Sequence, residues 1–358
     1  MEKKILMKKI YDYMVIGAGI INSLEAVYLS KLNKKLIIIE STKKIGGAWS
    51  SINIFGYKNI ENAIHYFLPN IKGIKYLKNN LKFKINIVKK KIYIINFFIL
   101  GVRKFLYDSK KAKIIRILIK NENFFIKIKE LVLCIFKKYK NHSYYMDNGS
   151  KEIIDKIKYI LKKNKIKINF NSTVKKIIID KKLKIVKCHV NNSVIIARKI
   201  IISHGSIIRT INTKKNNYNV KNITLKRPAV HFLIKDNSLN SFKEAIFAND
   251  SLIKYAHDLT SFSKGIKNKK LLVFGLKHDL RYSKKNIYSI FNRIKKYKII
   301  GEKANLLDYH WSNPRLPPIS DNELTRIKKK FNNYIEILKT ENFTKGIGLY
   351  SDKWSKII

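Results

Sequence analysis

The order of apolar and polar positions near the start of the chain predicts a strand, a helix and a second strand. Residues 13–16 form a short apolar run, which is typical of a strand buried on both faces. Residues 20–32 then carry apolar side chains at helical spacing, and Lys34 and Lys35 follow where positive charge suits the carboxyl end of a helix. Residues 36–39 form a second apolar run. The pattern therefore predicts a β-α-β unit.

The rest of the chain also contains both strand-like apolar runs and apolar residues at helical spacing. Alternating or continuous apolar runs predict strands at 81–88, 92–95, 166–170, 177–180, 184–190, 193–197 and 199–202, and in the segments VHFLI and LLVFGL between 226 and 276. Helical spacing predicts one or two helices within 114–136, a helix capped by Ser150, a basic helix at 284–299, and a helix at 321–338 capped by Ser320. In the helix capped by Ser150, the apolar residues expected to be buried are Ile153, Ile154, Ile157, Ile160 and Leu161.

Length and composition are those of a folded protein. The 358 residues suffice for one large domain or two interlocked ones, and 46% of them are hydrophobic. Cys134 and Cys188 are far apart in the chain, which argues against a disulfide framework and a zinc site and favours a reducing compartment. The charged start of the chain does not fit a signal peptide, and the longest apolar run, 92–102, is too short to cross a bilayer. We expect a soluble, cytoplasmic protein without a bound metal.

The formal net charge of +52 raises the question of nucleic-acid binding. The lysines are spread along the whole chain among isoleucine and asparagine, and no recognisable nucleic-acid-binding signature accompanies them. We therefore interpret the charge as a solvated lysine surface and expect no specific nucleic-acid partner. The basic amphipathic stretch 114–136 leaves peripheral membrane contact open, although core packing is the commoner fate of such a stripe.

The residues that join the three opening elements predict a dinucleotide site. Gly17 lets the chain turn out of the strand, and Gly19 lets a pyrophosphate approach the backbone at the start of a helix. Glu40 ends the second strand, about twenty residues on, where a carboxylate accepts hydrogen bonds from a ribose. Asn22 replaces the usual third glycine, and we expect it to loosen the packing of helix on strand. The order of elements favours this interpretation over a glycine turn in another α/β unit.

A second glycine pair, Gly46-Gly47, follows Glu40 in the segment ESTKKIGGAWS. This segment, with the opening motif, resembles the FAD-binding families that include the amine oxidases, protoporphyrinogen oxidase, phytoene desaturase and UDP-galactopyranose mutase. The resemblance implies FAD as cofactor, with Gly46, Gly47 and Ser50 beside it and Lys44 at a place often held by arginine. It also implies an α/β fold: a Rossmann-like FAD-binding domain with a second sheet-plus-helix substrate domain.

The resemblance further identifies individual residues. Val174 matches a valine that contacts the adenine through its backbone, and Ser203 and Gly205 end a strand that passes the cofactor. The expected cofactor-binding residues are Gly17, Ala18, Gly19, Ile20, Glu40, Ser41, Gly46, Gly47, Ala48, Trp49, Val174, Ser203 and Gly205.

His65 and Tyr66 are the candidate catalytic residues, because the related chains cross the flavin ring at about this place. A histidine there could hydrogen-bond a substrate or the flavin edge, or shuttle a proton near neutral pH. A packed histidine that only steadies the loop is an equally weighted alternative. In the segment 226–276, His231, Tyr255, His257 and Asp258 are polar candidates, each expected to be structural.

Domain limits follow from the same resemblance. We expect the FAD-binding domain at 1–80, 145–225 and 318–358, and the substrate domain at 81–144 and 226–317. The related families close with a strand, a Gly-Asp pair and a helix. In this chain we expect 348–352 to correspond to that strand, without the pair and without a closing helix.

The expected function is that of an FAD-dependent oxidoreductase, amine oxidase-like, which transfers a hydride from a small organic substrate to the flavin. One alternative is a flavin isomerase resembling UDP-galactopyranose mutase, which the scarcity of arginines weakens. The other is a non-catalytic nucleotide-binding protein.

Overall fold

The computed structural model describes residues 10–61, 70–87, 91–94, 117, 123–136, 144–146, 149–214, 216–221, 228–235, 242, 244–247, 250–260, 269–277, 280–312, 319–339 and 343–356. His65 and Tyr66 lie outside the described residues. The described helices are α1 Ile20–Lys31, α2 Ile71–Asn79, α3 Phe124–Phe136, α4 Gly149–Lys163, α5 Lys284–Lys296, α6 Asp321–Phe331 and α7 Phe343–Trp354.

The strands are numbered in chain order over the same ranges. They are β1 Ile10–Ile16, β2 Leu36–Ile39, β3 Ser51–Ile54, β4 Tyr57–Glu61, β5 Ile85–Ile87, β6 Lys91–Ile94, β7 Tyr144–Met146, β8 Lys167–Asn169, β9 Val174–Asp180, β10 Ile185–Val190, β11 Ser193–Ser203, β12 Thr210–Thr213, β13 Asn217–Asn219, β14 Ala229–Lys235, β15 Glu244–Phe247, β16 Ile253–Asp258, β17 Lys270–Leu276, β18 Asn305–Ser312 and β19 Ile335–Leu338.

Nine of the described strands form one sheet, which we call the first sheet. Its order is β13-β12-β9-β10-β11-β1-β2-β8, and β19 pairs with the carboxyl half of β11. The central strands β11, β1, β2 and β8 run parallel, so their carboxyl ends meet at one edge. Helices cover both faces: α1, α4 and α7 pack on one, and α6 packs on the other. Both faces of β2 are therefore buried, which explains its unbroken Leu-Ile-Ile-Ile sequence.

Six of the strands in the described part of the chain form the second sheet, in the order β18-β14-β17-β16-β15-β6. One of its faces packs on α5 through residues that include Phe232, Phe274 and Ile290. Its other face packs on the hairpin of β3 and β4, where Ile54 and Ile60 meet apolar residues of β14 and β17. We call this second face the inner face.

This architecture confirms the predicted fold class, an α/β fold with a Rossmann-like unit and a second sheet packed on a helix. The limits predicted for two domains stay a prediction. Within the described residues, no helix combines the length and apolar character needed to cross a membrane.

The carboxyl-terminal third corrects two predictions. The expected single helix at 321–338 is helix α6, a turn that includes Asn332 and Asn333, and then strand β19. The expected strand at 348–352 is wrong, because these residues lie in α7, which is the closing helix that the sequence did not predict. At Gly348 an added Cβ would lie 2.3 Å from Oδ1 of Asn70, so this glycine lets α7 approach the start of α2.

Other boundaries differ more modestly. The predicted strands at 193–197 and 199–202 are one strand, β11. Of the described part of the predicted strand 81–88, Ile85–Ile87 form a strand and residues 81–84 do not. Helix α4 begins at Gly149, so Ser150 is not its cap. The backbone N–H of Ser150 donates instead to Oε1 of Glu61, and its hydroxyl has no partner among the described residues.

Candidate functional site

The first glycine loop lies at the carboxyl edge of the first sheet, directly after β1. Gly17 has φ +95°, a value that L residues adopt at a cost, and its N–H donates to the carbonyl of Ile39 at 2.8 Å. Gly19 precedes α1 as its N-cap residue with an ordinary φ of −65°. The free N–H groups of the first turn of α1 therefore begin at the loop, where a helix N-terminus favours an anion.

The second glycine pair lies against the first loop. The N–H of Gly46 donates to the carbonyl of Ala18 at 2.8 Å, and Gly19 and Gly46 form an isolated parallel bridge. Gly46 has φ +108° and Gly47 has φ +58°, and a Cβ on Gly46 would lie 2.1 Å from Cδ1 of Ile154. The two motifs, 27 positions apart in the chain at Gly19 and Gly46, are therefore built as one surface of backbone atoms.

This backbone surface, which we call the glycine cradle (residues 17–19 and 46–47), is open above Gly19. Apart from its neighbours in the chain, no described residue has a heavy atom within 4 Å of a Cβ added to Gly19, although the helix that Gly19 caps is packed into the core. Ile20 itself is buried in that core, so only its backbone faces the cradle side. Ala48 and Trp49 follow in a short 3-10 helix, Gly47–Trp49, and Trp49 packs partly on the core of α1 and α4. An open backbone surface at a helix N-terminus fits a diphosphate.

Glu40 holds the loop from the end of β2. Its buried carboxylate accepts the N–H of Ala18 at 2.7 Å, and it also accepts the N–H and the hydroxyl of Thr42 at 2.8 and 2.9 Å. The hydroxyl of Ser41 lies farther off, at 3.4 Å. A carboxylate has about four lone-pair sites. A ribose hydroxyl at this carboxylate would therefore replace one of the two hydroxyl donors, that of Ser41 or that of Thr42.

Asn22 does not loosen the loop in the way the sequence led us to expect. Its side-chain amide is buried and donates to the carbonyls of Ile16 and Gly17 at 3.0 and 3.1 Å. It thus ties α1 to the end of β1 across the gap that a third glycine would have closed. Its Oδ1 has no partner among the described residues.

The far side of the site is the turn after β11. The hydroxyl of Ser206 accepts the N–H of Ser203 at 2.9 Å and donates to the carbonyl of Ile16 at 2.6 Å. These bonds fix the turn next to the glycine cradle, and apart from its chain neighbours no described residue has a heavy atom within 4 Å of a Cβ added to Gly205. His204 points away, because its Nε2 lies 2.6 Å from Oδ1 of Asp321 at the start of α6.

Val174 begins β9 and is buried. Two residues before it, the N–H of Ser172 donates to the carbonyl of Glu40 at 2.9 Å, which brings this segment beside β2. Segments that are far apart in the sequence thus converge at one edge of the first sheet. The predicted roles of their residues in binding FAD stay predictions. Sequence reasoning missed Thr42 and Ser206, which hold the site through contacts that no motif spacing reveals.

Four ionisable side chains, interrupted by one valine, form a row across the inner face of the second sheet. Pairing across five strands places His310, His231, Val273, His257 and Glu244 side by side on β18, β14, β17, β16 and β15. Directly paired residues of antiparallel strands share a face, so these side chains point the same way. Tyr255 joins the row through an edge-on contact with the His257 ring at 5.9 Å, whereas Asp258 accepts the N–H of Thr260 and closes a turn.

His231 connects this row, through Glu61 of β4, to helix α4, which packs on the first sheet. Its Nε2 lies 2.8 Å from the carbonyl of Glu61, and the carboxylate of Glu61 accepts the N–H of Ser150 at the start of α4. Burial lowers the pKa of His231 to about 4, so the ring is neutral at pH 7 and donates its Nε2 proton to Glu61. Nδ1 is buried without a partner among the described residues. Among those residues, no group of three or more His, Cys, Asp or Glu is arranged to hold a metal ion.

Comparison with known proteins places this geometry in context. Residues 15–77 match a family model described as an NAD(P)-binding Rossmann-like domain. A structure of putrescine oxidase bound to putrescine has a TM-score of 0.66 at 11% identity, covering 98% of this chain and 97% of that one. A cyclohexylamine oxidase from Brevibacterium oxydans IH-35A gives 0.63 at 11% identity, with 98% and 99% covered. An oxidoreductase from Methanosarcina mazei gives 0.61 at 14% identity, with 96% and 99% covered. These likenesses confirm the fold that the resemblance implies, a Rossmann-like domain with a second sheet-plus-helix unit.

Proposed function

We propose that this chain binds FAD and is an amine oxidase-like oxidoreductase that passes a hydride from a small organic substrate to the flavin. The observation that carries the proposal is the glycine cradle. Two glycine motifs meet at the N-terminus of α1, with space above Gly19 and a buried carboxylate, Glu40, at the end of the next strand. An NAD site needs only the first of these motifs, so the second favours FAD.

Each part of the site would bind a different part of the cofactor. The backbone N–H groups at the start of α1 would hold the diphosphate, since they point at an open space and carry the positive end of the helix dipole. The carboxylate of Glu40 would accept a hydrogen bond from a ribose hydroxyl, and the hydroxyl of Ser41 would donate one to the ribose. The segment before Val174 would lie along the adenine, and Gly46 to Trp49 with Ser203 and Gly205 would line the remaining length.

Bound FAD supplies the redox chemistry, as the acceptor of two electrons and a proton equivalent. The protein's task is then to place the substrate and exclude water. We propose that the inner face of the second sheet forms the substrate wall, with a neutral His231 that donates to Glu61. His65 and Tyr66, which follow Glu61 by a few residues, would orient the substrate. A cytoplasmic location, expected from the sequence, stays a prediction.

An absorbance spectrum of the purified protein tests the proposal directly. We expect bands near those of free flavin, release of FAD on denaturation, and anaerobic bleaching when the right amine or other reduced substrate is added. A protein that neither carries FAD nor takes it up would be a non-catalytic member of the fold. Activity on a sugar nucleotide that appears only after the flavin is reduced would support the isomerase alternative, which no described contact favours.

A further inference from the structure

Helix α3 presents large apolar side chains to solvent. Five residues within nine positions of this helix are exposed: Phe124 by 69%, Phe125 by 78%, Ile126 by 50%, Ile128 by 42% and Val132 by 46%. The sequence led us to expect such a stripe to pack into the core, and for these side chains that expectation is wrong. Single exposed apolar residues are common, but a cluster of them marks an interaction surface.

The other helices show that the fold buries apolar stripes elsewhere. In α5 the stripe of Ile287, Ile290, Phe291 and Ile294 is buried against the second sheet, although this helix is also basic. In α4 the predicted stripe is buried against α1. The outward stripe of α3 is therefore a property of this element and not of the chain's composition.

The positions of charge on α3 match those of an interfacial helix. At about 100° per residue, Phe124, Ile128 and Val132 form one stripe and Phe125 lies beside it. On the same projection Lys129 flanks the stripe beyond Phe125, and Lys127 flanks it on the opposite side. Lysines that border an apolar stripe can extend their stems along it and keep their ammonium groups at the level of lipid phosphates.

We propose that α3 docks this protein on an anionic lipid bilayer. The helix would lie in the plane of the interface, since its 13 residues reach only about 20 Å and cannot span the hydrocarbon. Phe124 and Phe125, whose rings pack edge-on at 6.1 Å, would enter the acyl boundary as a wedge. This docking surface comprises Phe124, Phe125, Ile128 and Val132 with the flanking Lys127 and Lys129, and it is independent of the proposed FAD chemistry.

The net charge favours an anionic bilayer over a second copy of the chain as the partner of this docking surface. The protein carries 76 Lys and Arg residues against 24 Asp and Glu, so two copies repel each other. An anionic leaflet attracts the same charge at long range and then accepts the apolar stripe. Basic charge and a nearby apolar wedge together are the two signals that stable peripheral attachment needs.

Co-sedimentation with vesicles tests the proposal. We expect the full-length protein to pellet with vesicles of mixed phosphatidylglycerol and phosphatidylcholine, and much less with phosphatidylcholine alone. The double variant Phe124→Ser/Phe125→Ser should lower the partition coefficient about tenfold or more, because the wedge is lost. A matched control, Ile71→Ser/Leu183→Ser, removes exposed apolar side chains elsewhere and should bind like the wild type.

A second pair of variants isolates the charge. Lys127→Glu/Lys129→Glu should weaken binding to anionic vesicles several-fold more than Lys181→Glu/Lys182→Glu, which makes the same charge change in the exposed turn after β9. Equal loss in both pairs, or no loss with the Phe variant, would mean that net charge alone binds the vesicle and would overturn the proposal. Concentration-dependent dimers that the Phe variant abolishes, without vesicle binding, would overturn it in favour of self-association. Thermal unfolding of each variant controls for folding.

Discussion

Gly19 and Gly46 lie side by side in the glycine cradle, but they are glycines for different physical reasons. Gly46 has a left-handed φ of +108°, and a side chain there would collide with Ile154. Gly19 has an ordinary φ of −65°, and a side chain there would project into empty space. The fold therefore requires glycine at position 46, whereas only a ligand that approaches the backbone would require it at position 19.

This difference gives a pair of matched substitutions. Gly19→Ala should change the free energy of unfolding by less than about 1 kcal/mol, the scale of an N-cap effect, yet lower FAD affinity about tenfold or more. Gly46→Ala should destabilise the protein by about 2 kcal/mol or more, through backbone strain and overpacking. Urea denaturation and FAD titration of each variant separate the two quantities. Unchanged FAD affinity in a folded Gly19→Ala protein would contradict the assignment of the cradle.

His231 gives a prediction in pH. Burial lowers the pKa of this ring from 6.5 to about 4, and the neighbouring His310 acts in the same direction while the bond to Glu61 opposes it. At pH values between 4 and 6.5, His231 is protonated in the unfolded chain and neutral in the folded chain. The free energy of unfolding therefore falls as the pH falls through this range. We expect the free energy of unfolding to drop by about 2 kcal/mol between pH 7 and pH 5 on account of this residue.

The matched variant is His231→Gln, which retains a side-chain donor for Glu61 but does not titrate. Its free energy of unfolding should depend less on pH than that of the wild type, by that same amount, in urea denaturation at the two pH values. Parallel pH dependences of the two proteins would show that His231 is protonated as easily when folded as when unfolded.

At the residue scale, the sequence could predict that the glycines and Glu40 lie together, because their positions depend only on the local β-α-β unit. A glycine turn, a helix start and an acidic residue at the end of the next strand occupy fixed spacings within one β-α-β unit. Ser206 could not be found this way, because its hydroxyl bonds to Ile16 across 190 positions of the chain. The role of Asn22 was also misjudged, since the spacing shows a missing glycine but not the two carbonyls that its amide reaches.

Among the elements, strand β19 is a short strand that the spacing of apolar residues wrongly predicted as part of a helix. Ile335 and Leu338 continue the helical spacing of α6, so the apolar pattern alone extends the helix to residue 338. The structure ends the helix at Phe331, and β19 then pairs with Ile200–Ser203 of β11. That pairing site exists because β10 covers only the amino-terminal half of β11. Such an opening is a property of the assembled sheet and is invisible in the local sequence.

Helix α7 depends on a buried carboxylate for its attachment to α1. Glu25 of α1 is fully buried; its Oε2 accepts the indole N–H of Trp354 at 2.9 Å, and its Oε1 pairs with Lys353. Trp354 also packs against Tyr76 and Tyr350. A buried charge that loses one of its donors keeps the cost of desolvation without the compensating bond.

Trp354→Phe should therefore lower the free energy of unfolding by about 1.5–3 kcal/mol, through the lost hydrogen bond and some lost packing. A double-mutant cycle with Glu25→Gln separates the two contributions, because the indole then faces a neutral amide in place of a charge. We expect a smaller cost of Trp354→Phe in the Glu25→Gln background, measured by urea denaturation. The same cost in both backgrounds would assign the whole effect to packing.

For the whole molecule, the important property is that the candidate cofactor site is assembled from separate parts of the chain. The cradle comes from residues 17–19 and 46–47, the predicted adenine contact from Val174, and the turn after β11 from residues 203–206. The inner face of the second sheet is tied through His231 and Glu61 to the start of α4, the helix whose Ile154 packs against Gly46. A ligand that contacts several of these segments at once stabilises their joint arrangement, and binding and folding are then coupled.

That coupling predicts how much different nucleotides raise the melting temperature of the FAD-free protein, which thermal unfolding measures. A ligand at a hundred times its dissociation constant stabilises the folded state by about 2.7 kcal/mol, which for a chain of this size raises the melting temperature by a few degrees. FAD should give the largest rise, since in the proposed site its diphosphate and ribose would lie on the cradle and its flavin end would extend past Gly46 and Gly47. NAD⁺ shares only the adenosine diphosphate half and should give less at equal concentration, and FMN, which lacks that half, should give almost none. A larger rise with NAD⁺ than with FAD would mean that the second glycine pair serves only the packing against Ile154, and that the first motif alone sets the choice of nucleotide.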